Sequence, residues 1–247
     1  MQINNFKICE SAVNFFPMKK RLVILSGAGI SAESGIKTFR DSDGLWEGHN
    51  VMDVATPEGF ERNPELVLDF YNQRRRQLHE VKPNAGHQIL AELENDFDMH
   101  IITQNVDNLH EQAGSSNVLH LHGELLKVRS IRNHKHVIDW QHDLILGDVD
   151  QDGHQLRPHI VWFGEPVPAL EQAITLVQKA EILIVIGTSL QVYPAAGLLN
   201  YTRKNIPIYY IDPHPATISN APNNLKVIAT TGSNGMKIVA KELNKLI

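Results

Sequence analysis

Short apolar runs, each cut off by a polar turn, set the rhythm of this chain. "RLVILS" (21–26) runs into "GAGISAESG", "DMHIITQ" (98–104) into "NVDNLHEQAG", "AEILIVIG" (180–187) into "TSLQVYPAAG" and "IPIYYID" (206–212) into "PHP". Continuous apolar runs of this length suit strands covered on both faces. They alternate with helix-like stretches at 84–94, 168–179 and 194–204, which predicts an α/β fold with a parallel sheet. Open sheets of this kind bind ligands beyond the carboxyl ends of their strands, where these polar turns fall.

Two regions break the alternation. Residues 38–83 read as mostly helical, with "NPELVLDFYNQRRRQLHE" the clearest helix; Asn63 is a good N-cap and Pro64 suits the first helical position. Residues 127–157 are polar and rich in His and Asp, with short β-like pieces such as "HVIDW". Both read as insertions that form a smaller module (about 38–83 and 127–157) beside a large part (about 18–37, 84–126 and 158–247). Residues 1–17 precede the first patterned strand and are expected to be a loose, disordered extension; they lack the basic and apolar regions of a signal peptide.

Composition narrows the function classes. With 247 residues, 42% hydrophobic and 21% charged, the chain has enough apolar material for a proper core. A net charge of −5 argues against attraction to nucleic acid or anionic membrane. No run reaches the 18 or so apolar residues of a membrane span. The single cysteine, Cys9, excludes an internal disulfide and suits a reducing cytoplasm, the expected location.

The chemistry concentrates in the turns. "GAGISA" (27–32) matches G-x-G-x-x-G/A after a strand and before an expected helix: Gly27 for the tight turn, Gly29 for close approach of a pyrophosphate, Ala32 for close packing. A tight strand-to-helix turn with no ligand explains the same residues. The acid that a dehydrogenase carries roughly 20 residues on, ending its second strand, has no counterpart in "KTFRDSDGLW", so hydride transfer fits poorly. "TQNVDNLHEQAG" presents Gln104, Asn105, Asp107 and His110 at the end of a buried run, more than one helix cap requires. "VLHLHGELLKV" puts His120 and His122 on one face of a strand; hydrogen-bonded core histidines are one reading, and a backbone approached by a ligand at Gly123 is the other.

"GAGISAESGIKTFRDSDGLW", "TQNVDNLH", "HLHGEL", "RPHIVWFGE" and "IGTSLQVYPAAG" occur in that order, and together they resemble a sirtuin, an NAD-dependent protein-lysine deacylase. The resemblance covers about residues 20–245. It implies a Rossmann-type NAD domain, a smaller helical and zinc-ribbon module, and an acyl-lysine tunnel between them. It implies NAD contacts at Gly27, Ala28, Gly29, Ser31, Glu33, Thr38, Phe39 and Arg40, at Gln104, Asn105 and Asp107, at Gly187, Thr188 and Ser189, and at Asp212 and Thr231. His122 is the implied general base and Asn105 the residue that helps order the ribose and attacking water. Val161, Trp162, Phe163, Gly164 and Glu165 are implied to pair with substrate backbone as an added strand. The implied reaction attacks the ribose carbon with the acyl oxygen as nicotinamide leaves, and ends with free lysine and O-acyl-ADP-ribose. A non-catalytic NAD or ADP-ribose sensor and a mono-ADP-ribosyltransferase are the alternatives.

Two departures stand out. The family's two C-x₂-C pairs have no counterpart: the stretch has no cysteine, and Ser130 stands where the first is expected. His134, His136, His142 and His154 lack a ligand spacing, so zinc is expected to be absent. Asp212 stands where the family commonly has Asn, still able to accept from ribose hydroxyls.

The helix from Pro64 carries "RRR" at 74–76. At about 100° per residue, Leu66, Val67, Phe70, Tyr71 and Leu78 share an arc of roughly 140°, with Arg74 near its middle. Arg75 falls at its edge and Arg76 outside, so both are expected to be solvated. The Tyr71-x-x-Arg74 pair resembles the one marking the desuccinylase and demalonylase branch of sirtuins, where it implies recognition of a terminal carboxylate.

Overall fold

In β1 (Arg21–Ser26), Leu22 through Ser26 are all buried, so the strand has no solvent face and must lie centrally. The structure, a computed structural model, describes residues 18–37, 45–218 and 221–246. Residues 1–17 and Thr38, Phe39 and Arg40 lie outside the described residues. After β1 come the hairpin of β2 (Leu45–Trp46) and β3 (His49–Asn50), then α1 (Val51–Val54), α2 (Pro57–Arg62), α3 (Pro64–Glu80) and α4 (Ala85–Leu93). β4 (Asp98–Thr103), α5 (Leu109–Gln112) and β5 (Val118–His120) follow, then β6 (Gly123–Ser130), β7 (Val137–Asp139) and β8 (Leu156–Ile160). The chain closes with α6 (Leu170–Lys179), β9 (Ile182–Ile186), β10 (Ile208–Ile211), β11 (Leu225–Ile228) and α7 (Gly232–Leu243).

Six strands form one parallel sheet in the order β11-β10-β9-β1-β4-β5. Numbered by chain order this is the 3-2-1-4-5-6 arrangement of dinucleotide-binding folds, read from the other edge. Apolar clusters cover both faces, Leu22, Ile24, Ile101 and Ile184 on one and Val23, Leu25, Leu183 and Val185 on the other. The order reverses between β1 and β9, opening a crevice at their carboxyl ends.

The second sheet is small and antiparallel, ordered β7-β6-β8. Phe70, Tyr71 and Leu78 of α3 pack with Leu125, Ile160 and Trp162. Leu68, on another side of α3, packs with Val128, Leu144 and Leu156. Asn63 caps α3 by accepting from Leu66 N at 3.1 Å, with Pro64 at the first position.

Four expectations need correction. The loop after β1 does not open an α-helix; it makes two 3₁₀ turns, Ala28–Ile30 and Ala32–Ser34. Bonds to the neighbouring strand end pull this backbone sideways: Gly27 N donates to Ile186 O at 3.0 Å and Gly29 N to Gly187 O at 2.8 Å. The stretch 194–204 is likewise a 3₁₀ helix over Ala195–Tyr201, with Gly197 in its interior weakening an α-helix. Gly123 is required by the protein's own backbone. It has φ +83°, and a Cβ there would lie 1.9 Å from His159 O, so the crossing of β8 requires the glycine.

The fourth concerns Arg75, which is 1% exposed and not solvated. The small sheet and the loop at Leu144 give α3 a second buried side, wider than its apolar arc suggests. There Arg75 donates to Leu125 O and to Asn72 Oδ1, while Asn72 exchanges bonds with the backbone of Leu144. Arg76 is exposed and pairs with Asp143 at 3.0 Å, as expected.

Ser130 is buried, and its Oγ accepts from Arg132 N and bonds to Asp150. Asp150, Asp152 and His154 cluster beside it, an oxygen-dominated group of which only Asp152 is exposed. This donor set does not fit a tetrahedral thiolate zinc site. His142 stacks on Trp140, and His134 bonds to Ile131 O.

Candidate active site

At the strand-order reversal two glycine loops touch. A Cβ on Gly29 would lie 2.7 Å from Gly187 Cα, and one on Gly187, at φ +64°, 2.2 Å from Ile30 N. Only glycines let these backbones cross, and the crossing turns Gly27, Ala28 and Gly29 toward a cavity of about 490 Å³. That volume lies in the range of small-molecule and cofactor sites. The cavity runs between the parallel sheet and the α3 side of the small module.

On the sheet side the cavity is lined by Gln104, Asn105 and Asp107 after β4, Gly187, Thr188 and Ser189 after β9, and Asp212 after β10. Gln104 Nε2 donates to Thr188 Oγ1 at 3.1 Å, tying two of these turns together. Asn105 Nδ2 donates to Ser31 Oγ at 3.2 Å, and Ser31 Oγ donates to Asp107 Oδ2 at 3.0 Å. Asp107 Oδ1 also accepts from Leu109 N, capping the turn of α5. Burial raises the Asp107 carboxyl above the ordinary carboxylate range despite those bonds. Asp212 accepts from His214 N and is 1% exposed.

His122 sits at the cavity with Nδ1 3.0 Å from Gln104 O. A carbonyl can only accept, so the proton is on Nδ1 and the Nε2 lone pair is left for chemistry. Burial lowers the His122 pKa, with the Gln104 bond opposing, so the ring is neutral at pH 7. The arrangement is that of a general base. His120, two residues earlier, has both ring nitrogens engaged. Its Nδ1 meets Asn105 O at 2.9 Å and its Nε2 meets Glu111 at 2.8 Å. Burial would lower its pKa, but the bonds to Glu111 prevail and raise it.

The opposite wall comes from α3 and the segment after β8. Tyr71, Arg74 and residues Val161 through Glu165 all line the cavity. Val161 N donates to His122 O, Trp162 N to Glu165 Oε2, Phe163 N to Ala55 O and Glu165 N to Trp162 O. An added strand here would rely on Gly164 N–H and on carbonyls. The Glu165 carboxylate is held by Arg157 at 2.7 Å and Arg129 at 3.2 Å, which keep its pKa below the usual range against the effect of burial.

Arg74 is half-buried, with its guanidinium carbon 3.4 Å from the Phe70 ring centroid and 5.8 Å from that of Trp46. Nη1 donates to Phe70 O and Nε has no partner. Arg74 forms no ion pair among the described residues. Burial pushes its pKa down to about 10, and Glu47 pulls it back up, so it remains a cation at neutral pH.

Three expected cofactor residues do not line the cavity: Ser31 lies fully buried behind Asn105 and Asp107, and Glu33 and Thr231 are engaged elsewhere. Glu33 Oε2 accepts from Ser233 N at the start of α7, and Thr231 is the N-cap of that helix. Sequence reasoning missed Ile36, Trp46, Val106, Leu125 and Tyr193, which line it. They are apolar or aromatic residues with no chemical signature, although all five sit within motifs already singled out.

Residues 27–194 match the model of the Sir2 family. The chain is 60% identical over 224 residues to an NAD-dependent protein deacylase of Helicobacter pylori, spanning 91% of this chain and 97% of that protein. A protein of the same description from Bacteroides thetaiotaomicron is 53% identical over 234 residues, 92% of this chain and 98% of its own. Among solved structures, a Sir2 homologue in complex with ADP-ribose superposes with a TM-score of 0.84 at 36% identity, covering 92% of this chain and 93% of that one. A Sir2 homologue in complex with NAD gives 0.82 at 37% identity, covering 92% and 91%.

Proposed function

The chain belongs to the Sir2 family and is an NAD-dependent protein-lysine deacylase; from that premise we propose that it removes succinyl and malonyl groups, and acetyl groups as well. The observation that carries the acyl preference is Arg74, a half-buried cation without an ion-pair partner among the described residues, lining the cavity beside Tyr71. A buried guanidinium is costly unless it meets an anion, and its planar fork matches a carboxylate. A succinyl or malonyl end supplies that anion when the substrate binds.

NAD, as co-substrate, supplies an activated ribose carbon that takes the acyl oxygen as nicotinamide departs. In this reading His122 Nε2 accepts the proton of a ribose hydroxyl while Nδ1 stays bonded to Gln104 O. Asn105, held through Ser31 and through the His120 bond to its carbonyl, orders the ribose. Asp107 contacts the nicotinamide end, while Gly187, Thr188, Ser189 and Asp212 take the adenosine half. Gly27, Ala28 and Gly29 offer backbone to the phosphates. Glu33 and Thr231 act indirectly, through the start of α7. Val161 through Glu165 receive the peptide, and the small module of about 38–83 and 127–157 closes over the acyl group. A cytoplasmic location fits a substrate pool of acylated proteins and NAD.

The test is a panel of acetyl-, malonyl- and succinyl-lysine peptides assayed side by side for NAD-dependent nicotinamide release and acyl loss. Higher kcat/KM on the two acidic acyl groups is expected. Activity on acetyl alone would refute the acyl assignment.

A further inference from the structure

Tyr71 is 0% exposed and Trp162 2% exposed, yet both line the cavity. Trp162 Nε1 donates to the Tyr71 hydroxyl oxygen at 2.9 Å. An indole N–H can only donate, so the phenolic oxygen is the acceptor and its own hydrogen points elsewhere. Among the described residues nothing takes that hydrogen.

The indole is itself fixed from behind. Arg157 stacks on it, with the guanidinium carbon 3.3 Å from the ring centroid. Glu165 holds Arg157 at 2.7 Å and accepts from Trp162 N at 2.8 Å. The direction of the Tyr71 hydroxyl is therefore set by a buried charged network, not by the ligand.

We propose that Trp162 is a specificity-positioning residue: by occupying the Tyr71 oxygen as an acceptor, it fixes that hydroxyl as a donor toward the far end of the acyl group. The acyl end then faces two donors, the Tyr71 hydroxyl and the Arg74 fork, while the Glu47 carboxylate, also at the cavity, is bonded by Lys37. A carboxylate, which only accepts, satisfies both. A carboxamide of nearly the same shape must turn an N–H toward a donor and leave it unpaired, which buried sites penalise. The preferred substrate class is thus narrowed from polar acyl ends to acceptor-only ends. This inference rests on the acidic-acyl reading above and sharpens it.

The test compares succinyl-lysine and succinamoyl-lysine peptides, whose acyl ends differ only as carboxylate and carboxamide. Wild type, Trp162→Phe, Tyr71→Phe and Arg74→Met are measured, with the result read as the ratio of kcat/KM for the two peptides. Losses common to both substrates, such as a shifted peptide-binding segment, cancel in that ratio. A further variant carries benzothienylalanine at position 162, which keeps the bicyclic ring without the N–H and serves if Trp162→Phe folds poorly. Both Trp162 variants are expected to lower the succinyl-over-succinamoyl ratio about tenfold, the scale of one hydrogen bond, mainly through KM. An unchanged ratio in the folded Trp162 variants, with a lowered ratio in Tyr71→Phe and Arg74→Met, would overturn the role of Trp162 and leave the acidic-acyl reading standing. No succinyl preference in wild type would overturn both.

Discussion

The two walls of the cavity are built on different principles. The sheet wall is mostly backbone and short polar side chains at strand ends, fixed by the register of β1, β4 and β9 and by two glycine loops that cross within contact distance. The module wall is made of long side chains: Arg74, Tyr71 and Trp162, held by Arg157 and Glu165. The first wall has few degrees of freedom and suits an invariant partner, the dinucleotide. The second can change its chemistry one side chain at a time without disturbing the sheet, which suits the choice of acyl group. On the proposed reading, turnover and selectivity are separable in this molecule.

Damage to the sheet wall has the largest expected effect. His122→Ala should reduce acyl loss by roughly 10²- to 10⁴-fold on acetyl and succinyl peptides alike, the usual range for a general base. Steady-state assays on both peptides check this; a loss confined to one acyl group would erase the distinction between the walls.

Damage to the support of the module wall should cost stability. Glu165→Gln leaves Arg157 and Arg129 facing a neutral amide and is expected to destabilise the fold by about 3 kcal/mol, as for a broken buried pair. Denaturant unfolding measures it. The sign with pH follows from the depressed Glu165 pKa: the contribution is present above the unfolded value near 4.5 and is lost as pH falls through the folded one.

A smaller effect separates the walls by pH. The His122 pKa is lowered in the ligand-free protein, so the base form survives below the ordinary histidine value and the acid limb of kcat/KM should lie below pH 6.5. If His122 is the base, it belongs to the shared wall, and the limb should fall at the same pH for acetyl and succinyl peptides.

The same division governs what the sequence revealed. The parallel strands were legible because residues such as Leu22–Leu25 and Ile182–Ile186 are buried on both faces and show as unbroken apolar runs. Asn105 stood out because polar residues end the run of β4, whereas His122 was singled out only by the resemblance, its own strand pattern leaving a core histidine open. Arg74 was legible because a cation interrupts an apolar arc. Arg75 was misread because its burial depends on the small sheet and the Leu144 loop, contacts that no helical periodicity encodes. The reasons for Gly27 and Gly123 were likewise hidden: each is crowded by a backbone distant in sequence, that of Gly187 and of His159. The bond between Trp162 and Tyr71 joins residues 91 apart, beyond any local pattern.

If the module wall selects the acyl group through the Arg74 cation, removing that cation must change selectivity more than turnover. The decisive measurement is kcat/KM on succinyl- and acetyl-lysine peptides in wild type and Arg74→Met. The succinyl-to-acetyl ratio is expected to fall tenfold or more, about 1.4 kcal/mol, which is modest for a charge-assisted bond. An unchanged ratio, with both activities moving together, would contradict selection by Arg74.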